Sequence, residues 1–416
     1  VIKRVELVLI ILILCGLITG CYDRKELDDM AYVVGIGLDK GEANFLRITL
    51  QVAVPMQIAE GGDPEDTYFI ETIEAPNLYE GLNIFNAFLS KQVNLSHVKV
   101  IVFSKALAKE GLQVYMNEIM EGREFRPSVH MVVARDSAEE YLKEIQPMLD
   151  TNPAKYHELI HKSYLYTGFS ADTRLHNFYI ETNSEYIEAV VPLSGVKQNN
   201  NNNDSEEPTS EENLEAEEPS EEEAEVDGEL IGLAVFKGTK MVGELNGEET
   251  TYHLITKGDL GHSYLSIPDP LAKDKLILLK ISQDRKPEYQ LLLYNNKPVV
   301  NINVILEAHL FAVESNVPYD NIKNLEVLEK EAEDYVKREI LKYLHHTREM
   351  EVDINGFGGM LKKNFTTWME WEKFNWLEKY KESDFDVDVT VKVKSSGAII
   401  QSIPGNYREE RKEEQL

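Results

Sequence analysis

The sequence predicts a mixed α+β fold, β-sheets flanked by helices, in two halves joined by a disordered acidic linker. Three observations carry this expectation. Alternating strand patterns and amphipathic helical patterns follow one another with no βαβ period long enough for a doubly wound sheet. No basic residue occurs between Lys197 and Lys237, and thirteen carboxylates lie from Asp204 to Asp227, so the segment repels itself and buries nothing. At 416 residues the chain is long enough for two or three domains, each with its own core.

In chain order, Ala31 to Leu38 and Phe45 to Val54 read as strands around a turn at Asp39 to Ala43, and Thr67 to Ile73 alternates as a third. Pro76 opens a helix with Leu78, Leu82, Phe85 and Leu89 on one face. His97 to Phe103 is an apolar strand, Lys105 to Met120 a helix, and Ser128 to Ala134 another strand. Helices then start at Ala138 and at Pro153, the latter capped by Asn152. Beyond the linker, Leu230 to Phe236, Lys240 to Leu245 and Thr250 to Lys257 read as a meander of short strands. Lys275 to Ser282, Glu288 to Tyr294 and Val299 to Phe311 continue the β pattern. A long helix from Asp320 carries the stripe Ile322, Leu325, Leu328, Ala332, Tyr335, Val336 and Ile340. Trp368 to Tyr380 is a shorter helix, and Phe385 to Val393 alternates as a last strand. The expected divisions are a signal segment 1–20, an α/β domain 21–197, the linker 198–228, an α+β domain 229–405 in two subdomains, and a charged tail 406–416.

The amino terminus places the chain at a membrane. Lys3 and Arg4 precede an apolar run from Leu7 to Ile18, shorter than the roughly 20 residues a spanning helix needs. Its length suits a secretory signal. Ile18, Thr19 and Gly20 then lead into Cys21, the aliphatic–small–small–cysteine pattern that a lipoprotein signal peptidase recognises. A thiolate is needed to form the thioether to diacylglycerol, so Cys21 is the expected lipidation site, anchoring the mature chain at the outer face of the cytoplasmic membrane. Cys15 falls in the discarded signal, which leaves no thiol for a disulfide. A net charge of −30 argues against nucleic acid as a partner and against attraction to anionic lipid without the covalent acyl chains, palmitate among them.

Few residues suggest chemistry. His157-Glu158-Leu159-Ile160-His161 matches H-E-x-x-H, in which two histidines on one helical face hold Zn²⁺ and the glutamate activates water, with Glu181 spaced as a third ligand. The same residues also make an ordinary amphipathic helix, and that structural reading is preferred, with no metal, cofactor or catalytic residue expected. The run Asp353 to Gly359 before Lys362 and Lys363 is a glycine turn between a strand and a helix rather than an anion cradle. Trp368, Trp371, Phe374 and Trp376 are expected to pack in a core or between domains.

Several runs carry a family likeness: Cys21-Tyr22-Asp23-Arg24-Lys25-Glu26-Leu27, Val34 to Asp39, His97 to Val102, Ala106 to Leu112 and Arg123-Glu124-Phe125-Arg126. Past the linker the likeness continues in Gly232 to Lys237, Met241 to Leu245, Asp353 to Gly358 and Val387 to Val391. In these runs, and in their order, the chain resembles the Ger(x)C family, the C-subunit lipoproteins of spore germinant receptors. Tyr22 stands where the family usually has Trp, and the acidic insert is longer than usual. The resemblance implies a protein without established catalytic activity, acting with multi-span membrane A and B subunits in the inner membrane of a spore and needed for nutrient-triggered germination. An exported zinc-dependent hydrolase and a solute-binding lipoprotein are the alternatives.

Overall fold

The structure, a computed structural model, describes residues 29–54, 67–145, 152–194, 230–283, 285–295 and 297–394. The lipidation residues Ile18 to Cys21, the acidic linker and the charged tail lie outside them.

The first sheet has nine strands. Its centre is parallel: β1 (Met30–Lys40), β5 (Val100–Ser104), β6 (His130–Ala134) and β7 (Val190–Ser194), with the short β4 (Gln92–Asn94) also beside β1. On one side β2 (Leu46–Ala53) and β3 (Tyr68–Ala75) add antiparallel pairs. On the other, β8 (Leu230–Lys237) and β9 (Lys240–Leu245) do the same, Val191 opposing Ala234. Residues 230–245 therefore belong to the first sheet by hydrogen bonding, and the division placed at 229 cuts through that sheet.

Successive side chains of a strand point to opposite faces. Ile101, Phe103, Met131 and Val133 meet Phe85, Leu107, Met116 and Phe178 on one face. Val100, Val102, Val132 and Ala134 meet Ala138, Tyr141 and Leu142 on the other. Burial on both faces is why these strands read as unbroken apolar runs.

The second sheet runs β10 (His262–Asp269), β11 (Ala272–Ser282), β13 (Lys297–Val313) and β12 (Glu288–Tyr294), with β14 (Asp384–Lys394) parallel to β13. One face is covered by the Ile322–Glu349 helix, whose buried Leu328, Ala332, Val336, Ile340 and Leu344 recur every four residues and pack on Val300, Ile302, Val304, Val387 and Val391. No helix among the described residues is long and apolar enough to cross a membrane.

Four expectations are corrected. The helix expected over Lys105 to Met120 is two helices, Lys105–Glu110 and Gln113–Gly122. Gly111 ends the first at φ 124°, where an L side chain is strained. Thr250 to Lys257 is not a strand but part of the Gly247–Lys257 helix: Asn246 and Glu249 form a capping box, and Gly258 closes it in the left-handed conformation. Trp368 to Tyr380 breaks into helices Trp368–Phe374 and Trp376–Lys379 at left-handed Asn375. The Asp353 turn joins helix to helix, not strand to helix.

Candidate functional site

The Pro153–Ile160 helix begins as its sequence dictates: Asn152 Oδ1 accepts from Ala154 N at 3.0 Å, and Pro153 occupies the first turn. It carries the H-E-x-x-H residues into three different environments. His157 is fully buried, and its Nε2 donates to Gln51 Oε1 at 2.8 Å; burial, then the neighbouring His130, pushes its pKa down to about 3. Glu158 lies at the surface and binds Lys99 at 3.1 Å, with Lys162 at 3.9 Å; the Lys99 hydrogen bond holds its carboxyl below the usual range.

His161 caps the helix and stacks on His130, ring centroids 4.1 Å apart and planes within 4°. His161 is buried, and neither ring nitrogen has a partner among the described residues. Burial is the largest cause of a pKa well below the ordinary histidine value. Nδ1 of His130 donates to Asp172 Oδ1 at 2.7 Å, and Asp172 Oδ2 accepts from Arg174 Nε at 3.1 Å.

Among the described residues, His130, His161 and Asp172 form the one group whose possible ligand atoms lie within 4.8 Å of one another. Parallel stacked imidazoles hold their lone pairs in separate parallel planes, so the two do not converge on one ion at the roughly 2.0–2.1 Å that zinc needs. His157, Glu158 and Glu181 are not in the group. The zinc constellation is therefore not assembled: burial took His157 to Gln51, and ion pairing kept Glu158 outside.

Two hollows flank this centre. One, of about 480 Å³, lies between the halves and is lined by Tyr164, Asp172, Glu181, His253, Lys257 and Asp259. Burial raises the Glu181 carboxyl, with Lys257 opposing. The other, of about 270 Å³, opens at the amino ends of β5 and β6, where Lys99, Arg126, Lys162 and Arg174 face it beside Glu158 and His130. Sequence reasoning missed His130, Asp172 and Arg174, which sit more than thirty positions apart or in a loop and share no spacing signal.

The glycine turn is occupied from within. Buried Asp353 accepts from Gly356 N at 2.8 Å, Gly358 N at 3.0 Å and Trp376 Nε1 at 2.8 Å. Burial nevertheless raises it to about 6, the hydrogen bonds opposing. Glu188, whose amide binds the Asp353 carbonyl, is raised by burial to about 7. Trp376 is buried, and Trp371 reaches across the halves to Glu185 at 2.9 Å, while Trp368 stays 55% exposed.

Both halves match known families. Residues 23–196 match the model described as the spore germination protein N-terminal domain, and residues 231–397 the one described as spore germination B3/GerAC like, C-terminal. The two-sheet fold and this pair of matches define a spore germination protein. The chain belongs to the Ger(x)C family. It is 23% identical to spore germination protein KC of Bacillus subtilis (strain 168), covering 98% of this chain and 100% of that one. Spore germination protein B3 of the same organism is 21% identical over 91% of this chain and 95% of its own length. The crystal structure of the GerBC protein shares the fold at a TM-score of 0.52 and 16% identity, over 89% of this chain and 99% of that one.

Proposed function

We propose that this chain is the lipid-anchored C subunit of a nutrient germinant receptor, held by acyl chains on Cys21 at the outer face of the cytoplasmic membrane and then in the inner membrane of the spore. The single observation that supports it best is that both family models match in order along the chain, residues 23–196 and 231–397. The Ile18-Thr19-Gly20-Cys21 motif supports the anchor. An anchor confines the chain to two dimensions and raises its concentration beside multi-span A and B subunits, so a modest interface is enough for assembly. The subunit needs no catalytic group of its own in this reading.

The test is genetic and biochemical. Deleting the gene, or Cys21→Ala, slows germination in the cognate nutrient and leaves germination by receptor-bypassing agents unchanged. Mass spectrometry finds acyl mass on Cys21 of the wild type, and pull-down from detergent-solubilised spore membrane recovers multi-span partners. Normal nutrient germination with all paralogous receptors removed, and no membrane partner recovered, would refute the proposal.

A further inference from the structure

The 270 Å³ hollow at the amino ends of β5 and β6 is unusual for this molecule. The chain carries −30, yet four cations and one carboxylate line this hollow. They come from four separate segments: Lys99 just before β5, Arg126 before β6, Lys162 after the Pro153–Ile160 helix, and Arg174 before the Leu175–Thr182 helix. Such convergence in a strongly acidic protein concentrates positive potential at one place.

The cations are only partly neutralised. Glu158 is shared between Lys99 and Lys162, at 3.1 and 3.9 Å. Arg174 binds Asp172 through Nε alone, which leaves the outer edge of its guanidinium for another acceptor. The Arg126 guanidinium has no hydrogen bond or ion pair among the described residues. Neighbouring histidines register the field: after burial, Arg126 and Lys99 depress His97, and Arg174 is among the groups that depress His161.

A second, independent feature lies in the wall. The His130 side chain is only 10% exposed, fixed by Nδ1 to Asp172, and it lines the hollow. Behind it His161 is buried with both nitrogens unpartnered.

We infer that this hollow is a binding site for a phosphate-class oxyanion, held by Arg126, Lys162 and Arg174 against the His130 wall. Guanidinium groups match tetrahedral oxyanions through paired, charge-assisted hydrogen bonds. A volume of about 270 Å³ takes an ion or small phosphoester rather than a drug-sized ligand, whose pockets begin near ~300 Å³. Free phosphate and the phosphodiester of an anionic lipid headgroup share this chemistry.

The test uses the full chain in detergent, titrated at fixed ionic strength with inorganic phosphate and, separately, with glycerophosphoglycerol, and followed by ³¹P line broadening. Saturable binding is expected, weakened about tenfold in Arg126→Gln and again in Lys162→Gln, the loss of one charge-assisted hydrogen bond each. Both side chains are exposed, so circular dichroism should be unchanged, and Lys323→Gln, far along the chain on an exposed position, should bind as the wild type does. Tighter binding of glycerophosphoglycerol identifies a headgroup as the source, and tighter binding of inorganic phosphate a soluble one. Failure of both probes to saturate at millimolar concentration overturns the inference. So does binding that the Arg126 and Lys162 substitutions leave unchanged or that Lys323→Gln weakens equally.

Discussion

Replacing His161 with Phe should make the protein less sensitive to acid. His161 is buried and neutral, and its ring nitrogens find no partner among the described residues. Its folded pKa lies well below the ordinary value because burial penalises the imidazolium. Below pH ~6.5 the unfolded chain therefore binds a proton at this position that the folded chain refuses, so stability is present above that pH and lost as pH falls. The linkage slope approaches about 1.4 kcal/mol per pH unit, which integrates to roughly 2.5 kcal/mol between pH 7.5 and 4.5. Phe keeps a ring against His130 and has nothing to protonate. Its extra volume adds a packing penalty, of about 1–3 kcal/mol, that does not change with pH. Urea unfolding at pH 7.5, 6.0 and 4.5 should thus show the variant gaining on the wild type by roughly 2.5 kcal/mol across the series. The difference between the two proteins is the readout, because buried His157 and His253 act in the same direction in both while Glu188 and Asp353 act oppositely. A gap that stays constant from pH 7.5 to 4.5 would refute the assignment of His161 as a buried neutral group.

Three further outcomes are expected. Glu188→Gln should gain on the wild type as pH rises from 5 to 8, by at least about 1 kcal/mol, since a carboxyl raised to about 7 by burial loses stability as it ionises in the fold; thermal unfolding at the two pH values checks the sign. Ile340→Ala opens a cavity between the long helix and the second sheet and should cost about 2–5 kcal/mol in denaturant unfolding, with the slope m unchanged. Asn246→Ala removes the capping box of the Gly247–Lys257 helix and should cost about 1 kcal/mol in the same assay; no loss would show that packing of Leu254 and Ile255 alone sets that helix.

Much of the fold is legible residue by residue, because burial on sheet faces and helix stripes imposes periods that survive in the sequence. The unbroken apolar run Val100 to Phe103 states a strand buried on both faces, the stripe from Leu328 to Ile340 a helix and its buried side, and Asn152-Pro153 a helix start. The Gly247–Lys257 helix was missed although Asn246, Glu249 and Gly258 spell both its ends; the β-branched Thr250, Thr251 and Ile255 carry a strand propensity that tertiary packing overrides. The break at Gly111 likewise rests on a single residue whose φ of 124° no periodicity reveals.

By itself the sequence determined the two-half α+β organisation, the acidic stretch, the lipoprotein motif at Cys21 and the family resemblance, since each rests on residues adjacent in the chain. Tertiary structure alone decided that β8 and β9 complete the first sheet, that Asp353 fills its own glycine turn, and that His157 and His161 part company. It also decided that Lys99, Arg126, Lys162 and Arg174 share one hollow. The Asp353 turn is settled by burial; elsewhere the pairing of strands, antiparallel at β8 and β9 and parallel at β5 and β6, brings together segments tens of residues apart, the lining of the hollow among them. Which charges meet there depends on strand order and burial, and no local period encodes either.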